Sequence, residues 1–586
     1  MKSALTLGFA LALSALPSAQ WSTDAALNQR LSDGDGDEVQ SKVRVGTDGF
    51  AFVSWFDSDP DGTPAFGYDV RLQRLDPSGN EQWAAGGITV ADRGYSSTQD
   101  YGMDAGFNSD GFVAFRDDRF GGTQITASRV DANGVQVWGA TGVQLTNTTA
   151  FLAAPKIAAM PNGDCVVAWT QDSTVRIQRL SPAGATVWIE AAAIPVAAGE
   201  TASLSDLRAS DLGSVILSYV SQTGGFFGPR HLKARKINSN GTPGWIEPVT
   251  VYSAGSLQIA NFPEFSTDGS GGAIFSWYDT SLQCFAQHLN TTGAPLFPVN
   301  GVAVSNNAVR QRVSPYASYN ASTQELYVFW TELAASQSQR GLTGQKFNAA
   351  GVPQWTAEGI NFVPVSATTD VGFVRTVQAS GNTSVVWFQN SGFGTDVVNA
   401  LNVDASGTLL NPISTIASTL DSKGRLGISA GPLGDVYAAW HDNRTGDNDL
   451  YVQNVRADGG VGPQAGSLTR NEGTNFNSYT ASVGPIGGAL DLAIDLTTSG
   501  HQFGFFLMYV APASVPFGTD VVLVDLFAPP GNLLKTGIKA GPIASLSLTI
   551  PNDPNLIGAA VYTQGVHVDT VLPLRMSNAE DIYLGL

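Results

Sequence analysis

The sequence predicts an all-β protein: a β-propeller of about eight four-stranded blades followed by a C-terminal β-sandwich. Three observations lead to this prediction. An apolar strand ending in an aromatic residue occurs eight times, a glycine turn follows most copies at a fixed distance, and helical periodicity is nearly absent. The 586 residues include 65 glycines and only 14% charged residues, as is typical of many short strands joined by tight turns.

The first element is a predicted signal peptide over residues 1–19. Lys2 precedes an apolar run over 4–13, and small residues follow up to Ala19. That run is too short to cross a bilayer, and no later segment has the roughly 18 apolar residues that a spanning helix needs. We therefore expect a protein that is secreted or held in the cell envelope, with no membrane insertion.

The second element, the propeller over residues 20–465, is predicted from the repeated strand. Its aromatic residues lie 50 to 60 positions apart, so the repeat is a unit with loop insertions. Each strand is almost continuously apolar, as expected for a strand that is covered on both faces. The aromatic residues are Trp55, Phe115, Trp169, Tyr219, Trp277, Trp330, Trp387 and Trp440.

A turn and a docking aromatic complete each repeat. Six turns carry an aromatic residue four positions after the glycine, as in LDPSGNEQW, which ends at Trp83. The Asp, Asn or Ser that opens such a turn bonds its own backbone, and the glycine takes a positive φ. The seventh copy has Asn411 at the aromatic position. Four strands per unit of 40 to 60 residues indicate a blade, whereas the coils of a parallel β-helix are much shorter.

Ring closure is predicted from the segment that begins at Trp21, which reads as the last strand of a blade. A strand from the N-terminus that completes the final blade removes the open edge of the ring. Eight blades are favoured on this ground, and a ring of seven blades or an open arrangement remains as an alternative.

The third element is a module over residues 466–586, where alternating strands split by Gly and Pro turns predict a two-sheet sandwich. The end of the chain, including LTIPNDPNLIGAAVYTQG and SNAEDIYLGL, resembles a C-terminal β-sandwich module common on large secreted proteins of environmental bacteria. The resemblance covers about 100 residues. It implies export and a modular surface protein, and it implies no particular chemistry.

The docking turns resemble those of eight-bladed quinoprotein dehydrogenases and of related non-catalytic outer-membrane assembly propellers. Those turns have one more residue between the Asp and the Gly, so the resemblance implies architecture alone. A quinone site often has a vicinal cysteine pair, and no adjacent cysteines occur in the sequence. We expect no organic cofactor, and calcium stays open because carboxylates are plentiful.

Candidate ligand-binding residues follow the apolar strand in three copies, on the face where propellers bind ligands. The residues are Asp57 in the first copy, Asp117 and Arg119 in the second, and His441, Asp442 and Arg444 in the eighth. They would form a cation or sugar site at the channel mouth. The competing interpretation of the Asp-x-Arg-x-Gly pattern in copies two and eight is a hairpin stabilised by a local ion pair.

Other motifs do not identify an enzyme. The turns differ from the Asp-box of sialidases, where the aromatic follows glycine at three residues. A sialidase would also need an arginine cluster with a Tyr/Glu pair, which sequence alone does not assemble. In the acidic stretch Asp33, Asp35 and Asp37, an EF-hand loop fails because its twelfth position is Arg44. No catalytic residue is therefore predicted, although a glycosidase could place two carboxylates on different blades.

The formal net charge of −19 argues against nucleic acid as a partner, because nucleic acid attracts basic surfaces. Taken together, the sequence favours a monomeric, non-catalytic binding or scaffold protein that recognises a protein or glycan through loops on a propeller face. The alternative is a secreted carbohydrate-active hydrolase with carboxylates at the propeller centre.

Overall fold

A computed structural model describes residues 20–586 apart from 33–35, 59–66, 99, 108, 190–191, 226, 391, 393 and 535–536. The predicted signal peptide and Asp33 and Asp35 lie outside the described residues. The described chain forms two compact units. One comprises 24–75 and 81–460, and the other comprises 461–586 together with 20–23 and 76–80.

The prediction of an all-β propeller is confirmed, since eight four-stranded antiparallel sheets follow one another along the chain. Within each sheet the strands pair in chain order. Blades 1 to 4 contain β2 (Glu38–Val45), β3 (Ala51–Ser58), β4 (Tyr68–Leu75), β5 (Ile88–Ala91); β6 (Gly102–Ala105), β7 (Gly111–Asp117), β8 (Gln124–Val130), β9 (Val143–Gln144); β10 (Leu152–Ala159), β11 (Cys165–Gln171), β12 (Thr174–Leu180), β13 (Ala192–Ala193); and β14 (Glu200–Ala209), β15 (Val215–Thr223), β16 (Arg230–Ile237), β17 (Val249–Tyr252).

Blades 5 to 8 repeat this arrangement, and the last blade takes its fourth strand from the N-terminal segment. They contain β18 (Phe265–Thr267), β19 (Ala273–Tyr278), β20 (Cys284–Leu289), β21 (Val302–Ala303); β22 (Gln311–Asn320), β23 (Glu325–Leu333), β24 (Arg340–Phe347), β25 (Ile360–Ser366); β26 (Asp370–Ala379), β27 (Asn382–Asn390), β28 (Asp396–Val403), β29 (Ser414–Asp421); and β30 (Lys423–Ala430), β31 (Val436–Asp442), β32 (Asp449–Val455) with β1 (Gln29–Arg30). Gln29 pairs with Val452 and Arg30 with Tyr451, so the ring has no unpaired outer edge at blade 8.

The first strand of every blade lies innermost. The first strand of each blade contacts the first strands of both neighbouring blades, and this chain of contacts closes from β30 to β2. The second strands are the repeated apolar strands, and their aromatic ends, such as Trp55 and Trp440, are almost completely buried. Hydrophobic clusters span neighbouring blades, as when Ile177 of blade 3 packs with Leu217 of blade 4. Such clusters join successive blades from blade 1 to blade 7.

The predicted docking aromatics hold each blade against the next. The indole of Trp245 donates a hydrogen bond to the carbonyl of Thr291, 2.9 Å away, in the turn of the following blade. A Cβ added to Gly293 in that turn would lie 2.8 Å from the Trp245 ring. The same contact recurs from Trp83, Trp138, Trp188 and Trp355 to the carbonyls of Ala132, Pro182, Ser239 and Ala405.

Asn411 replaces the docking indole in blade 7 without losing its hydrogen bond. Its side-chain amide donates to the carbonyl of Ala457 at 3.3 Å. The amide lies over Gly459, the turn glycine of blade 8. The polar anchor is thus preserved at this junction, but the aromatic surface is not.

The second unit is built from a five-stranded sheet in the order β33-β42-β41-β36-β39, a three-stranded sheet in the order β34-β35-β40, and the hairpin β37-β38. Ile494 of the smaller sheet and Phe506 and Ile582 of the larger one share a single core, as the predicted sandwich requires. The strands are β33 (Gly466–Arg470), β34 (Tyr479–Val483), β35 (Ala489–Asp495), β36 (Phe503–Tyr509), β37 (Pro512–Phe517), β38 (Asp520–Val524), β39 (Lys539–Ala540), β40 (Ile543–Thr549), β41 (Ala560–Val568) and β42 (Arg575–Tyr583), and short 3-10 helices occur at Asp211–Gly213 and Pro554–Leu556.

The second unit also contains Trp21. Its indole nitrogen donates to the carbonyl of Pro77 at 2.9 Å, and its ring lies against Gly79. The docking contact of the blades therefore recurs here with both partners inside this unit.

We expect a Gly→Ala substitution to reduce stability more in a docking turn than at a glycine of the same conformation with no atom near its Cβ position. Gly293 and Gly381 have φ of 83° and 79°, so alanine at either position costs about 1–2 kcal/mol of backbone strain. Gly293→Ala also forces its methyl group into Trp245, whereas a Cβ at Gly381 meets nothing within 4 Å. Urea unfolding should show a larger loss of stability for Gly293→Ala. Equal losses for the two variants would show that aromatic docking does not constrain the turn.

The buried His567 should make the second unit sensitive to acid. Ser478 Oγ and Ser499 Oγ lie 2.8 and 2.7 Å from its ring nitrogens. Burial, followed by the nearby His501 and Arg575, lowers the pKa of His567 from 6.5 to about 4. Between these two values the unfolded chain binds more protons than the folded chain, so stability should fall by up to about 3 kcal/mol as the pH drops from 6.5 to 4.

Urea unfolding of the full chain at pH 7 and pH 4.5 measures this dependence, with His567→Asn as the comparison. The variant should lose less stability on acidification than the wild type, since asparagine does not titrate. An identical pH dependence in both proteins would contradict a neutral buried His567.

Candidate functional site

The predicted loop residues of blades 2 and 8 form local ion pairs. Asp117 accepts two hydrogen bonds from the guanidinium of Arg119, at 2.9 and 2.8 Å. Asp442 is likewise bound by Arg444, whose Nη2 lies 2.5 Å from Oδ2. Both carboxylates are fully buried, and each pair spans only two residues. This geometry fits the interpretation of the pattern as an ion pair that stabilises a hairpin.

Asp442 has further partners inside blade 8. The indole of Trp440 donates to its Oδ2 at 3.1 Å, and the buried Nζ of Lys423 lies 3.5 Å from the same oxygen. The adjacent His441 is half-buried, and burial together with the positive charge of Arg425 lowers its pKa to about 4. His441 is therefore neutral at physiological pH.

Asp57 of blade 1 forms an ion pair with Arg71 at 2.7 Å. Its neighbour across the strand pair is the buried Glu38. Burial raises the pKa of Glu38, and the charges of Asp57 and Asp449 add to this effect. Within the described part of the chain, no hydrogen bond or ion pair joins Asp57, Asp117 and Asp442 to one another. That these loops bind a ligand stays a prediction.

A second candidate site is the cavity at the centre of the ring. It has a volume of about 460 Å³ and is lined by the first strands of blades 1, 6, 7 and 8 and by the residues just before the first strands of blades 2 and 5. Because blades 1 and 5 lie on opposite sides of an eight-bladed ring, the cavity occupies the middle of the channel. Its charged lining residues are Lys42, Arg44, Asp100, Glu264, Arg375 and Arg425.

Backbone bulges position these side chains. The pairing of the first strand with the second shifts register in six blades, for example between Val39 and Lys42 and between Gly372 and Arg375. Inside these shifts, Gln40 and Phe373 have positive φ values of 62° and 51°. Bulges re-aim side chains, and strained non-glycine residues concentrate at functional sites. The bulges interrupt the regular alternation of side chains between the two faces of the inner strand, and charged side chains lie beside these interruptions.

Several of these charged side chains occupy equivalent positions in the inner strands of their blades. The shared position lies opposite the residue that precedes the repeated aromatic, and in blade 5 it directly precedes β18. Around the ring the residues at this position are Lys42, Gly102, Lys156, Asp206, Glu264, Tyr316, Arg375 and Gly427. The ring therefore presents a layer of three basic and two acidic side chains, together with one phenol and two glycines.

Part of this layer is neutralised internally. Asp100 lies 2.7 Å from the Nζ of Lys42 and also pairs with Lys156. Burial opposes ionisation of Asp100, but the charges of Lys156 and Lys42 outweigh it and lower the pKa of that carboxyl. Asp100 is therefore an ionised acceptor held between two lysines.

Glu264 is the second carboxylate of the cavity. The phenol of Tyr316 donates to its Oε2 at 3.1 Å, and Arg208 lies 3.9 Å away. Burial again opposes ionisation, but the positive charges of Arg375 and Arg208 lower the pKa of Glu264 to about 2. Burial, followed by the charge of Glu264, raises the pKa of Tyr316 to about 12, so the phenol keeps its proton.

Three guanidinium groups on one side of the cavity lack a carboxylate partner. Arg44, Arg375 and Arg425 lie on β2, β26 and β30, the first strands of three consecutive blades. Among the described residues, no carboxylate oxygen lies within 4.0 Å of their nitrogen atoms. Arg44 and Arg375 each donate to a backbone carbonyl, of Val43 and Val374. We call these three residues the arginine arc.

The cavity is cationic although the protein is acidic. Four cationic and two anionic side chains line it, whereas the chain as a whole carries a formal net charge of −19. A cleft lined mainly by charges of one sign focuses their field even where the side chains are accessible to solvent, as Glu264 and Arg425 are. The arrangement therefore attracts an anion.

Sequence analysis did not single out the cavity residues, but a signal for them exists. The layer position precedes the repeated aromatic by 13 residues in six blades, as from Lys42 to Trp55 and from Glu264 to Trp277, and by 14 and 12 residues in blades 6 and 7. Aligning the repeats on their aromatic residues and reading back by this distance would have found the layer.

The described residues include no cluster of three or more His, Cys, Asp or Glu side chains arranged to hold a metal ion. They also include no helix with the length and apolar character needed to cross a membrane.

Comparison with known proteins finds similarity only among solved structures. No protein-family model and no curated protein matches the chain. One similar structure is an ulvan lyase described as a new polysaccharide lyase family, at 11% identity and a TM-score of 0.40, covering 76% of this chain and 96% of that chain. Another is the BP39L lectin from Burkholderia pseudomallei, at 14% identity and a TM-score of 0.41, covering 66% and 100%. Similarities at this level assign no function to the chain.

Asp442→Asn tests whether the polar loop of blade 8 is structural. The substitution leaves Lys423 and Arg444 without their shared anion, and breaking a buried ion pair costs about 3–5 kcal/mol. Urea unfolding should show this loss, while Asp447→Asn, at an exposed position of the same loop, should have little effect. Unchanged stability of Asp442→Asn with weakened ligand binding would instead assign Asp442 to a ligand site.

Proposed function

We propose that this is an exported, non-catalytic binding protein that takes an anionic glycan into the central cavity of its propeller. The observation that carries the proposal is the arginine arc inside an otherwise acidic protein. Guanidinium groups match carboxylate and sulfate geometry through paired N–H donors, and the clustering of like charges in a cleft strengthens that attraction. Export rests on the predicted signal peptide, and a monomer is proposed because the ring is closed within one chain.

The size and the lining of the cavity support a hydroxylated ligand. A volume of about 460 Å³ falls within the range of about 300–1,000 Å³ usual for small-molecule sites. Gln40, Ser41, Ser97 and Thr98 add amide and hydroxyl groups to the charged residues. Such a lining offers both donors and acceptors and more polar than apolar surface, which suits a saccharide better than an apolar ligand.

Hydrolysis is the second candidate function, because the carboxylates Asp100 and Glu264 line the same cavity. A two-carboxylate glycosidase needs one carboxyl group that stays protonated to act as the general acid. The neighbouring cations lower the pKa of both groups, so both are ionised at neutral pH. This electrostatic environment supports binding over hydrolysis.

Isothermal titration calorimetry of the full chain with uronate-containing and sulfated oligosaccharides, and with neutral oligosaccharides of the same length, tests the proposal. We expect only the anionic ligands to bind, with an affinity that falls as salt is raised. Arg375→Gln should weaken binding by about tenfold or more, because a charge-assisted hydrogen bond contributes about 1.5–3 kcal/mol.

Arg340→Gln is the matched control, since Arg340 is exposed and pairs with Asp370 outside the cavity lining. It should bind like the wild type. If no saccharide binds, or if Arg340→Gln and Arg375→Gln weaken binding equally, the cavity is not the glycan site and a protein partner of the propeller-face loops becomes the better hypothesis. Release of new reducing ends from a bound oligosaccharide would favour the hydrolase instead.

A further inference from the structure

The two sides of the cavity differ in charge, and this difference specifies the ligand more closely. Resting on the proposed function, we propose that the cavity selects a uronic acid residue, a sugar that carries one carboxylate and a set of hydroxyl groups. The carboxylate binds the arginine arc of blades 7, 8 and 1, and the hydroxyl groups donate to Asp100 and Glu264.

The arginine arc forms the carboxylate side. Arg375, Arg425 and Arg44 belong to consecutive blades, so their guanidinium groups approach the cavity from one direction. Arg375 lies over the ring of Tyr316, 4.9 Å from its centroid, which fixes one edge of the arc. A planar carboxylate accepts two parallel hydrogen bonds from such a group.

The other side offers acceptors. Asp100 and Glu264 come from blades 2 and 5 and are ionised, so they accept hydrogen bonds and donate none. Tyr101 N donates to Asp100 at 3.0 Å, and the two lysines bind the same carboxylate. Glu264 has Tyr316 as its hydrogen-bond donor. A ligand group that meets these two carboxylates must bring hydroxyl hydrogens, as a sugar ring does.

The same two carboxylates oppose a ligand that is anionic on every side. A second carboxylate or sulfate placed next to Glu264 would face a like charge, whereas next to Asp100 that repulsion is reduced by Lys42 and Lys156. The cavity therefore discriminates by the distribution of ligand charge as well as by its sign. One anionic group at one end of a hydroxylated ring satisfies both sides.

Calorimetry of the wild-type chain with four probes tests the inference. The probes are methyl β-glucuronide, methyl β-glucoside, methyl β-glucoside 6-sulfate and cyclohexanecarboxylate. The glucuronide should bind at least about tenfold more tightly than each of the others, because each lacks either the planar carboxylate or the hydroxyl donors.

Glu264→Gln and Asp100→Asn test the acceptor side of the cavity. Removing either carboxylate should improve binding of cyclohexanecarboxylate, because one competing anion is gone, and should weaken binding of the glucuronide. The ratio of the two affinities is measured within one protein preparation, so it does not depend on how much of a destabilised variant is folded.

Two results would overturn the uronic acid proposal while leaving anionic glycan binding intact: tighter or equal binding of the 6-sulfate, or an affinity ratio unchanged in both variants. Equal binding of cyclohexanecarboxylate and the glucuronide would refute the role of the hydroxyl groups. Failure of every anionic saccharide to bind would refute the proposed function itself.

Discussion

The docking of one aromatic side chain on a glycine turn of the next blade is the contact on which the propeller depends. A blade of four strands cannot bury both of its faces alone, so it needs a neighbour at a fixed distance and angle. The indole supplies apolar area, and its N–H donates a hydrogen bond to a carbonyl of the turn. The glycine matters because any side chain there would occupy the volume of the ring.

Fixing the blades in this way also fixes the channel. Each blade turns its first strand inward, and one position in or just before that strand in each blade belongs to a common layer, with register shifts beside it in six blades. Lys42 and Glu264 are far apart in the sequence, yet closure of the ring places both in the lining of the same cavity. The charge of the cavity lining therefore differs from blade to blade. The three guanidinium groups without a carboxylate partner among the described residues lie on three neighbouring blades. The framework repeats while the chemistry of the layer varies, which is how a rigid scaffold comes to hold a specific site.

The architecture could be predicted from the sequence because its determinants are local. Eight aromatic-ended strands and a glycine four residues before Trp83, Trp138 or Trp245 are visible without any knowledge of tertiary contacts. The layer position becomes visible only when the repeats are aligned on their aromatic residues, and the pairing of Lys42 with Asp100 between two blades is not visible in the sequence. The Asp-x-Arg pairs showed the reverse: Asp117 and Asp442 were conspicuous in the sequence, and the charges that made them so are satisfied by an arginine two residues away.

Asn411 makes the docking contact between blades 7 and 8 different from those of the other blades. At Trp83, Trp138, Trp188, Trp245 and Trp355 an aromatic ring packs on the turn of the next blade, whereas the junction between blades 7 and 8 keeps one hydrogen bond and lacks the aromatic surface. Regions with less buried apolar surface open at a lower free energy than the rest of a fold. The junction with the smaller docking side chain is also the one between the blades that carry Arg375 and Arg425, so the repeat departs from its usual packing beside two members of the arginine arc.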